Sequence, residues 1–227
     1  MAPPRDSAAR TAGWLLLITA AATVLAVIGR VGATELAPLH QSLTAIAANP
    51  GLYGFGGAAR LVSGCTLYMA AWSLLRTWIM RRRLGSRPVP VLLAVSGAAT
   101  AISGACAVAL AATAPQLDLM GELDYVRPPT VVLLHATWIT GKAGFSLAGL
   151  ALIAAAHRQW RVGGFLQPIA PVSALIGAGM QLIWFGAAVA AHYITGPAFV
   201  VWLAGIGILL VTGRVERRFA ALAEEGS

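Results

Sequence analysis

The segment that decides the fold is Thr130–Ala156, which reads TVVLLHATWITGKAGFSLAGLALIAAA. It contains one charged side chain, that of Lys142. A helix needs about 20 apolar residues to cross the roughly 30 Å hydrocarbon core of a bilayer. An apolar run of this length with a single charge therefore predicts a helix that crosses a membrane.

Five further runs have the same character. The chain of 227 residues is 58% hydrophobic and 11% charged, with a mean hydropathy of +0.77, whereas a soluble domain carries about 25% charged residues. So few charges cannot cover a water-facing surface, and lipid must cover it instead. We predict an all-α polytopic transmembrane helical bundle that forms a single integral membrane domain over residues 1–227. Its predicted spans are Gly13–Gly29, Gly57–Ile79, Val89–Ala114, Thr130–Ala156, Pro168–Tyr193 and Gly196–Thr212.

The arginines predict the orientation of the bundle. The net charge of +8 lies in short clusters between apolar runs, such as Arg81-Arg82-Arg83, and such clusters favour the cytoplasmic side. With the N-terminus inside, twelve arginines fall in cytoplasmic segments, and only Arg30, Arg60 and Arg127 fall outside. This bias requires an even number of spans and places both termini in the cytoplasm. No nucleic-acid partner is predicted, because no recognition motif accompanies the charge.

The source and the start of the chain bear on localisation. Arg outnumbers Lys fifteen to one and Ala and Gly are abundant, which indicates a GC-rich bacterial source and a multi-pass protein of the cell (inner or plasma) membrane. The alternative at the start is a signal peptide, because Arg5 and Arg10 precede an apolar stretch and the small residues Val31-Gly32-Ala33. Cleavage there leaves five spans and an outer N-terminus.

The predicted outer loop, residues 31–56, carries its own pattern. Leu36, Leu39, Leu43 and Ile46 recur at helical spacing. This spacing predicts a short helix that lies on the outer membrane surface and turns His40 toward another face.

Polar side chains within the spans are the best indicators of function. An ionisable residue at membrane depth is costly and needs a partner or a water-filled cavity. Lys142 lies at the centre of predicted span four, among small residues that let other helices approach closely. His135 and Trp138 stand seven and four residues before Lys142, so the three side chains form one stripe.

Predicted span five carries a second stripe of Gln181, Trp184, Ala188 and His192. Consecutive helices joined by a short loop are usually neighbours, so we expect both stripes to face a common interior. The prediction is an outward-opening cavity for a small anionic or lipid-like molecule, which Glu35, His40 and Arg60 approach from the outer side. Its predicted ligand-binding residues are Lys142 and Gln181 at the floor, Trp138 and Trp184 at the walls, and His135 and His192 at the mouth.

Other functions stay open at this point. Lys142 and Gln181 would act as structural links if they pair with hydroxyls or backbone carbonyls. An intramembrane enzyme acting on a lipid or isoprenoid substrate would use His135 or His192 as acid and base, but the predicted spans contain no Asp or Glu. The protein would be an accessory subunit if its glycine-rich faces pack on a membrane partner, and a homo-oligomer is the related alternative.

No cofactor and no metal site are predicted. Haem needs two histidines at matched depth on facing helices, and no HExxH or repeated His spacing favours zinc or iron. A retinal-type Schiff base on Lys142 lacks the seventh span that it would need. Cys65 and Cys106 lie at similar predicted depth, where a small packing role is favoured over a redox pair.

Several segments resemble the sequences of an uncharacterised family of bacterial multi-span membrane proteins, a domain of unknown function. The resemblance covers most of the chain and implies a membrane fold without an activity. The stripe from His135 to Lys142 is not matched to that family. The segments that carry the resemblance are Ala9–Gly13, Ala59–Gly64 leading to Ser73–Arg76, and Val201–Ala204 leading to Thr212-Gly213.

Overall fold

The structure is a computed structural model that describes residues 6–29, 39–82, 84–117, 128–185 and 189–225, and every regular element in these ranges is helical. Two 3₁₀ turns, Gly164–Leu166 and Leu182–Trp184, flank the helix Ile169–Gln181. Six segments of the described chain are long and apolar enough to cross a membrane, which confirms the predicted all-α polytopic bundle. The helices are α1 Ser7–Ile28, α2 Leu39–Ala48, α3 Pro50–Leu75, α4 Trp78–Arg81, α5 Pro88–Leu117, α6 Pro128–Val162, α7 Ile169–Gln181, α8 Val189–Val211 and α9 Arg214–Glu225.

The six long helices are arranged as a closed ring. Going round it, α1 contacts α3, followed by α5, α6, α7 and α8, and α8 returns to α1. The contact between α7 and α8 is the least extensive of the six. Chain neighbours are therefore also neighbours in space, and α1 closes the ring by packing between α3 and α8.

Glycines set how closely these helices approach. A Cβ atom at Gly64 of α3 would lie 2.3 Å from the backbone nitrogen of Ala101 in α5. A Cβ at Gly13 of α1 would lie 2.7 Å from the carbonyl oxygen of Gly207 in α8. Such contacts leave no room for a side chain, and they bring the backbones close enough for dispersion to hold the helices together in lipid.

At one end of the ring, hydrogen bonds join segments near both ends of the chain. We call this end the arginine-rich side. The Asp6 carboxylate accepts from the backbone N–H of Ala8 at 3.0 Å and of Trp78 at 2.7 Å, while the Asp6 N–H donates to the Glu216 carboxylate at 3.0 Å. The first turns of α1, α4 and α9 therefore meet on this side. Arg158 donates to the carbonyl of Leu84 here as well.

The other end of the ring is covered by α2. Leu43 and Ile46 of α2 are fully buried against Leu110 of α5 and Leu134 of α6. A short helix therefore occupies this part of the predicted outer loop, and its position on a membrane surface stays a prediction.

Predicted span five is wrong in its second half. Helix α7 ends at Gln181, a 3₁₀ turn follows, and Phe185 is extended with φ −105° and ψ 112°. The next helix begins at Val189, so Tyr193 and the backbone of His192 belong to α8. Ala188 and the His192 side chain lie outside the described residues. The apolar run continues without a polar break through this turn, so hydropathy alone does not locate it.

Candidate functional site

The seam between α6 and α7 brings two of the predicted site residues together. The Lys142 ammonium nitrogen of α6 lies 5.8 Å from the centroid of the Trp184 ring, in the turn that ends α7. This distance is within the range of a cation–π interaction. Lys142 is half-buried, whereas Trp184 retains 49% of its exposure. The pair therefore lies at the surface of the ring.

Gln181 acts as a link across the same seam. Its carbonyl oxygen accepts from the Ser146 hydroxyl at 2.5 Å, and its amide nitrogen donates to the carbonyls of Ser146 at 3.0 Å and Gly177 at 3.2 Å. This geometry ties α7 to α6 directly below the Lys142–Trp184 pair. Gln181 therefore pairs with a hydroxyl and with backbone carbonyls, and all of these bonds fit the alternative in which it acts as a structural link between helices.

His135 and Trp138 form a separate pair further along α6. Their rings meet edge to face at 5.6 Å between centroids. His135 is exposed, with its Nδ1 2.8 Å from the carbonyl oxygen of Val131. Trp138 packs against the cluster of Leu43 and Ile46 beneath α2. Trp138 therefore supports α2, whereas Trp184 lies at the α6–α7 seam.

Among the described residues the two predicted stripes meet at Lys142 and Trp184, and the predicted cavity between them stays a prediction. His135 and Trp184 are exposed on the outside of the ring, and Lys142 continues the stripe of His135. The centre of the ring holds Phe145 and Phe199, whose rings meet edge to face at 6.5 Å. Lys142 lies three residues before Phe145, and its ammonium is directed toward the seam, where it meets Trp184.

The length of α6 bears on the predicted depth of Lys142. Predicted span four ends at Ala156, but α6 continues to Val162. Trp160 is exposed and Arg161 follows it, and such residues mark a membrane boundary. At about 1.5 Å per residue, the helix between Lys142 and Trp160 measures about 27 Å, close to the full thickness of the hydrocarbon core. With Trp160 taken as one boundary, Lys142 would lie near the other, and its depth in the membrane stays a prediction.

A second polar cluster lies among α3, α5 and α6. Arg60 donates to the Ser103 hydroxyl at 3.1 Å, and Ser103 donates to the Thr137 carbonyl at 2.7 Å. Tyr53 neighbours Arg60, Cys106 and Thr137. The sequence analysis assigns Arg60 to the outer side, in the first turn of predicted span two, which begins at Gly57. Pro50 was the available signal, since proline is favoured in the first turn of a helix and α3 begins there.

Pairs of hydroxyl groups also link α1 to α3. Thr19 pairs with Thr66, and Thr23 pairs with Ser63, each at 2.8 Å between oxygens. Cys65 and Cys106 are free thiols, and Cys65 is exposed. Within the described residues, no group of three His, Cys, Asp or Glu side chains is placed to hold a metal ion. These contacts hold helices together and supply no recognisable catalytic constellation.

The fold and the seam define a multi-pass α-helical membrane protein. Comparison of the chain with protein-family models, with curated proteins and with solved structures finds no match. The resemblance to an uncharacterised bacterial family therefore stays a prediction, and any functional argument must start from the chain's own residues.

Proposed function

We propose that this protein binds an anionic, lipid-like molecule at the seam between α6 and α7, with Lys142 holding the anionic group. The observation that carries the proposal is the Lys142 ammonium above the half-exposed Trp184 ring. The ligand enters from the lipid side, because the centre of the ring is packed. An amphiphile fits better than a fully soluble anion, since Phe185 and Ile139 offer exposed apolar surface beside the pair.

The depth of Lys142 supports this choice of ligand. A lysine near a membrane boundary keeps its charge by extending its ammonium toward the headgroups. Trp184 suits the same level, because tryptophan is enriched at the interface between lipid and water. The phosphate or carboxylate of an amphiphile occupies this level too, so cation and anion meet without burial of either charge in hydrocarbon.

The arginine distribution supports a location and an orientation for the seam. We propose a bacterial plasma-membrane protein with both ends in the cytoplasm. The arginine-rich side then faces the cytoplasm, and Lys142 lies toward the outer leaflet. The ligand would accordingly be an amphiphile of the outer leaflet.

Native mass spectrometry of the purified protein tests the assignment of Lys142. Phosphatidylglycerol is titrated into wild type, Lys142→Met and Lys142→Arg in detergent. We expect Lys142→Met to weaken the binding that depends on this seam by about tenfold, the size expected for one charge-assisted hydrogen bond. Lys142→Arg should retain it because the charge is kept. Equal binding by all three proteins would remove Lys142 from the site.

Lys142 is the only lysine in the sequence, which allows a second test. A water-soluble amine reagent is added to the folded protein, and peptides containing Lys142 are compared with the N-terminal peptide. We expect labelling of Lys142 in the free protein and slower labelling when the amphiphile is present. Labelling that begins only after unfolding would place Lys142 in a closed interior and contradict the proposal.

A further inference from the structure

An apolar groove runs along the outside of the ring between α7 and α8. Val172 and Ile176 line it from α7, and Val201, Gly205 and Leu209 line it from α8. Its volume is about 380 Å³. Trp202 contributes the only polar atom among the lining side chains, and its indole N–H donates to the buried Ser173 hydroxyl at 2.8 Å. The groove therefore offers hydrocarbon contact and no hydrogen-bonding group.

The groove is about as long as one membrane leaflet is thick. From Ala198 to Leu209 it follows α8 for about 16 Å, at about 1.5 Å per residue. This is about half of the roughly 30 Å hydrocarbon core. Leu209 stands just before the end of α8 at Val211, so the groove lies in the leaflet on the arginine-rich side. A single extended acyl chain has this length and direction.

Two exposed arginines follow the groove directly. Gly213, with φ +68°, turns the chain from α8 into α9, which presents Arg214 and Arg217 to the surface. Helix α9 is fixed in place, because Phe219 is buried in a cluster that also contacts Ile169 at the α7 end of the groove. Apolar clefts between transmembrane helices that end in basic residues on this side suit anionic headgroups.

We infer that this groove binds an anionic phospholipid, with one acyl chain between α7 and α8 and the phosphate at Arg214 and Arg217. This site is separate from the Lys142 seam, since it lies on the other side of α7 and in the opposite leaflet. A second copy of the chain is a poorer occupant. A two-fold interface through the groove would bring Arg214 and Arg217 toward the same arginines of the partner, and like charges at an interface are unfavourable.

The headgroup half of the inference is tested with a charge variant. Phosphatidylglycerol and phosphatidylcholine are titrated into Arg214→Gln/Arg217→Gln and into wild type in detergent, with native mass spectra as readout. We expect about tenfold weaker phosphatidylglycerol binding in the variant and little change for phosphatidylcholine. The matched control is Arg81→Gln/Arg82→Gln, which removes two exposed arginines on the same side but at the end of α4, and it should bind like wild type.

The acyl-chain half is tested by filling the groove. Gly205 lines the groove, and a Cβ atom there meets nothing within 4 Å, so Gly205→Leu is chosen to add its side chain to the groove. It should weaken phosphatidylglycerol binding, whereas Ala105→Leu, which adds the same bulk on an exposed face of α5, should not. Both variants should unfold within a few degrees of wild type.

The outcomes separate this site from the seam. Loss of binding in Gly205→Leu that persists in the Lys142→Met background supports the groove whatever the seam does. Unchanged phosphatidylglycerol binding in both Gly205→Leu and the α9 double variant overturns the inference. A wild-type dimer that Gly205→Leu converts to a monomer also overturns it, because the groove would then hold a second copy.

Discussion

Glu216 is a buried acid at the arginine-rich side of the ring. Its carboxylate accepts the backbone N–H of Asp6 at 3.0 Å, and the side chain is almost fully buried. Burial raises the pKa of Glu216 above its ordinary value of 4.5, and the nearby Asp6 charge raises it further, while the hydrogen bond from Asp6 and the charge of Arg217 lower it. The net shift is upward, so the folded protein holds this proton more tightly than the unfolded chain does.

A raised carboxyl pKa makes stability fall as pH rises. The contribution of Glu216 is fully present below pH 4.5, its unfolded value, and is lost as pH rises through the higher folded pKa. Glu216→Gln keeps an acceptor for Asp6 but cannot ionise. We expect the variant to be more stable than wild type at neutral pH, because no buried charge forms there, and to lose this part of the pH dependence, measured by thermal unfolding in detergent.

The control for this effect is Glu224→Gln, which removes an exposed acid from the same helix. Its pH profile is measured in parallel, so that removal of any carboxylate from α9 is separated from removal of the buried one. If the stability of Glu216→Gln still falls with pH as steeply as that of wild type between pH 4.5 and neutral pH, a group other than Glu216 binds the proton.

Lys142 and the last turns of α6 show what the sequence predicts for single residues and what it does not. Lys142 is recognisable because a charge within an apolar run is rare, but its depth depends on where α6 stops. The last turns of α6 contain Arg158 and Gln159, which hydropathy assigns to a loop. They stay helical because each has a distant partner: Arg158 donates to Leu84, and Gln159 accepts from Ser173 at 2.8 Å. These partners are far along the chain, so a local pattern does not contain them.

At the scale of elements, the pairing of α3 with α5 depends on small residues. Gly64 of α3 lies against the backbones of Gly97 and Ala101. We expect Gly64→Ala to destabilise the protein by about 1–3 kcal/mol, the usual cost of overpacking a tight contact. The measurement is the midpoint of thermal unfolding in detergent. Gly205→Ala is the matched control, since its Cβ meets no atom within 4 Å, and it should be neutral or slightly stabilising because alanine favours the helix.

Equal midpoints for the two alanine variants would mean that α3 moves away from α5 at little cost. The role of glycine in setting this helix spacing would then be contradicted.

The six long apolar segments were predictable in number and type but not at every boundary, and α4 and α9 were not predicted. Apolar length and proline at helix starts indicate the six segments, because lipid leaves the backbone no other partners than those within a helix. The turn between α7 and α8 was missed since both flanks and the turn itself are apolar. The contact between α6 and α7 follows from chain order, whereas the contact of Lys142 with Trp184 depends on where α7 ends, which hydropathy does not locate.

At the scale of the whole molecule, the ring has two chemically distinct ends. The end with Asp6, Trp78 and Glu216 is joined by hydrogen bonds between chain segments far apart in sequence. The other end is closed by apolar packing of α2 on α5 and α6. The arginines gather at the first end, and this asymmetry predicts which end faces the cytoplasm.

Thiol labelling in intact cells tests this orientation. In a background with Cys65 and Cys106 replaced by alanine, a single cysteine is placed at Asn49 or at Ser86. Asn49 is exposed between α2 and α3, and Ser86 lies between α4 and α5 on the arginine-rich side. We expect a membrane-impermeant maleimide to label Asn49→Cys in intact cells and Ser86→Cys only after lysis. The Gln167→Cys variant, exposed between α6 and α7, should behave like Ser86→Cys because six spans place both connections on one side. If Ser86→Cys and Gln167→Cys are labelled before lysis and Asn49→Cys is protected, the orientation is inverted and the Lys142 seam lies in the cytoplasmic leaflet. If Ser86→Cys and Gln167→Cys behave differently from each other, the ring itself is contradicted.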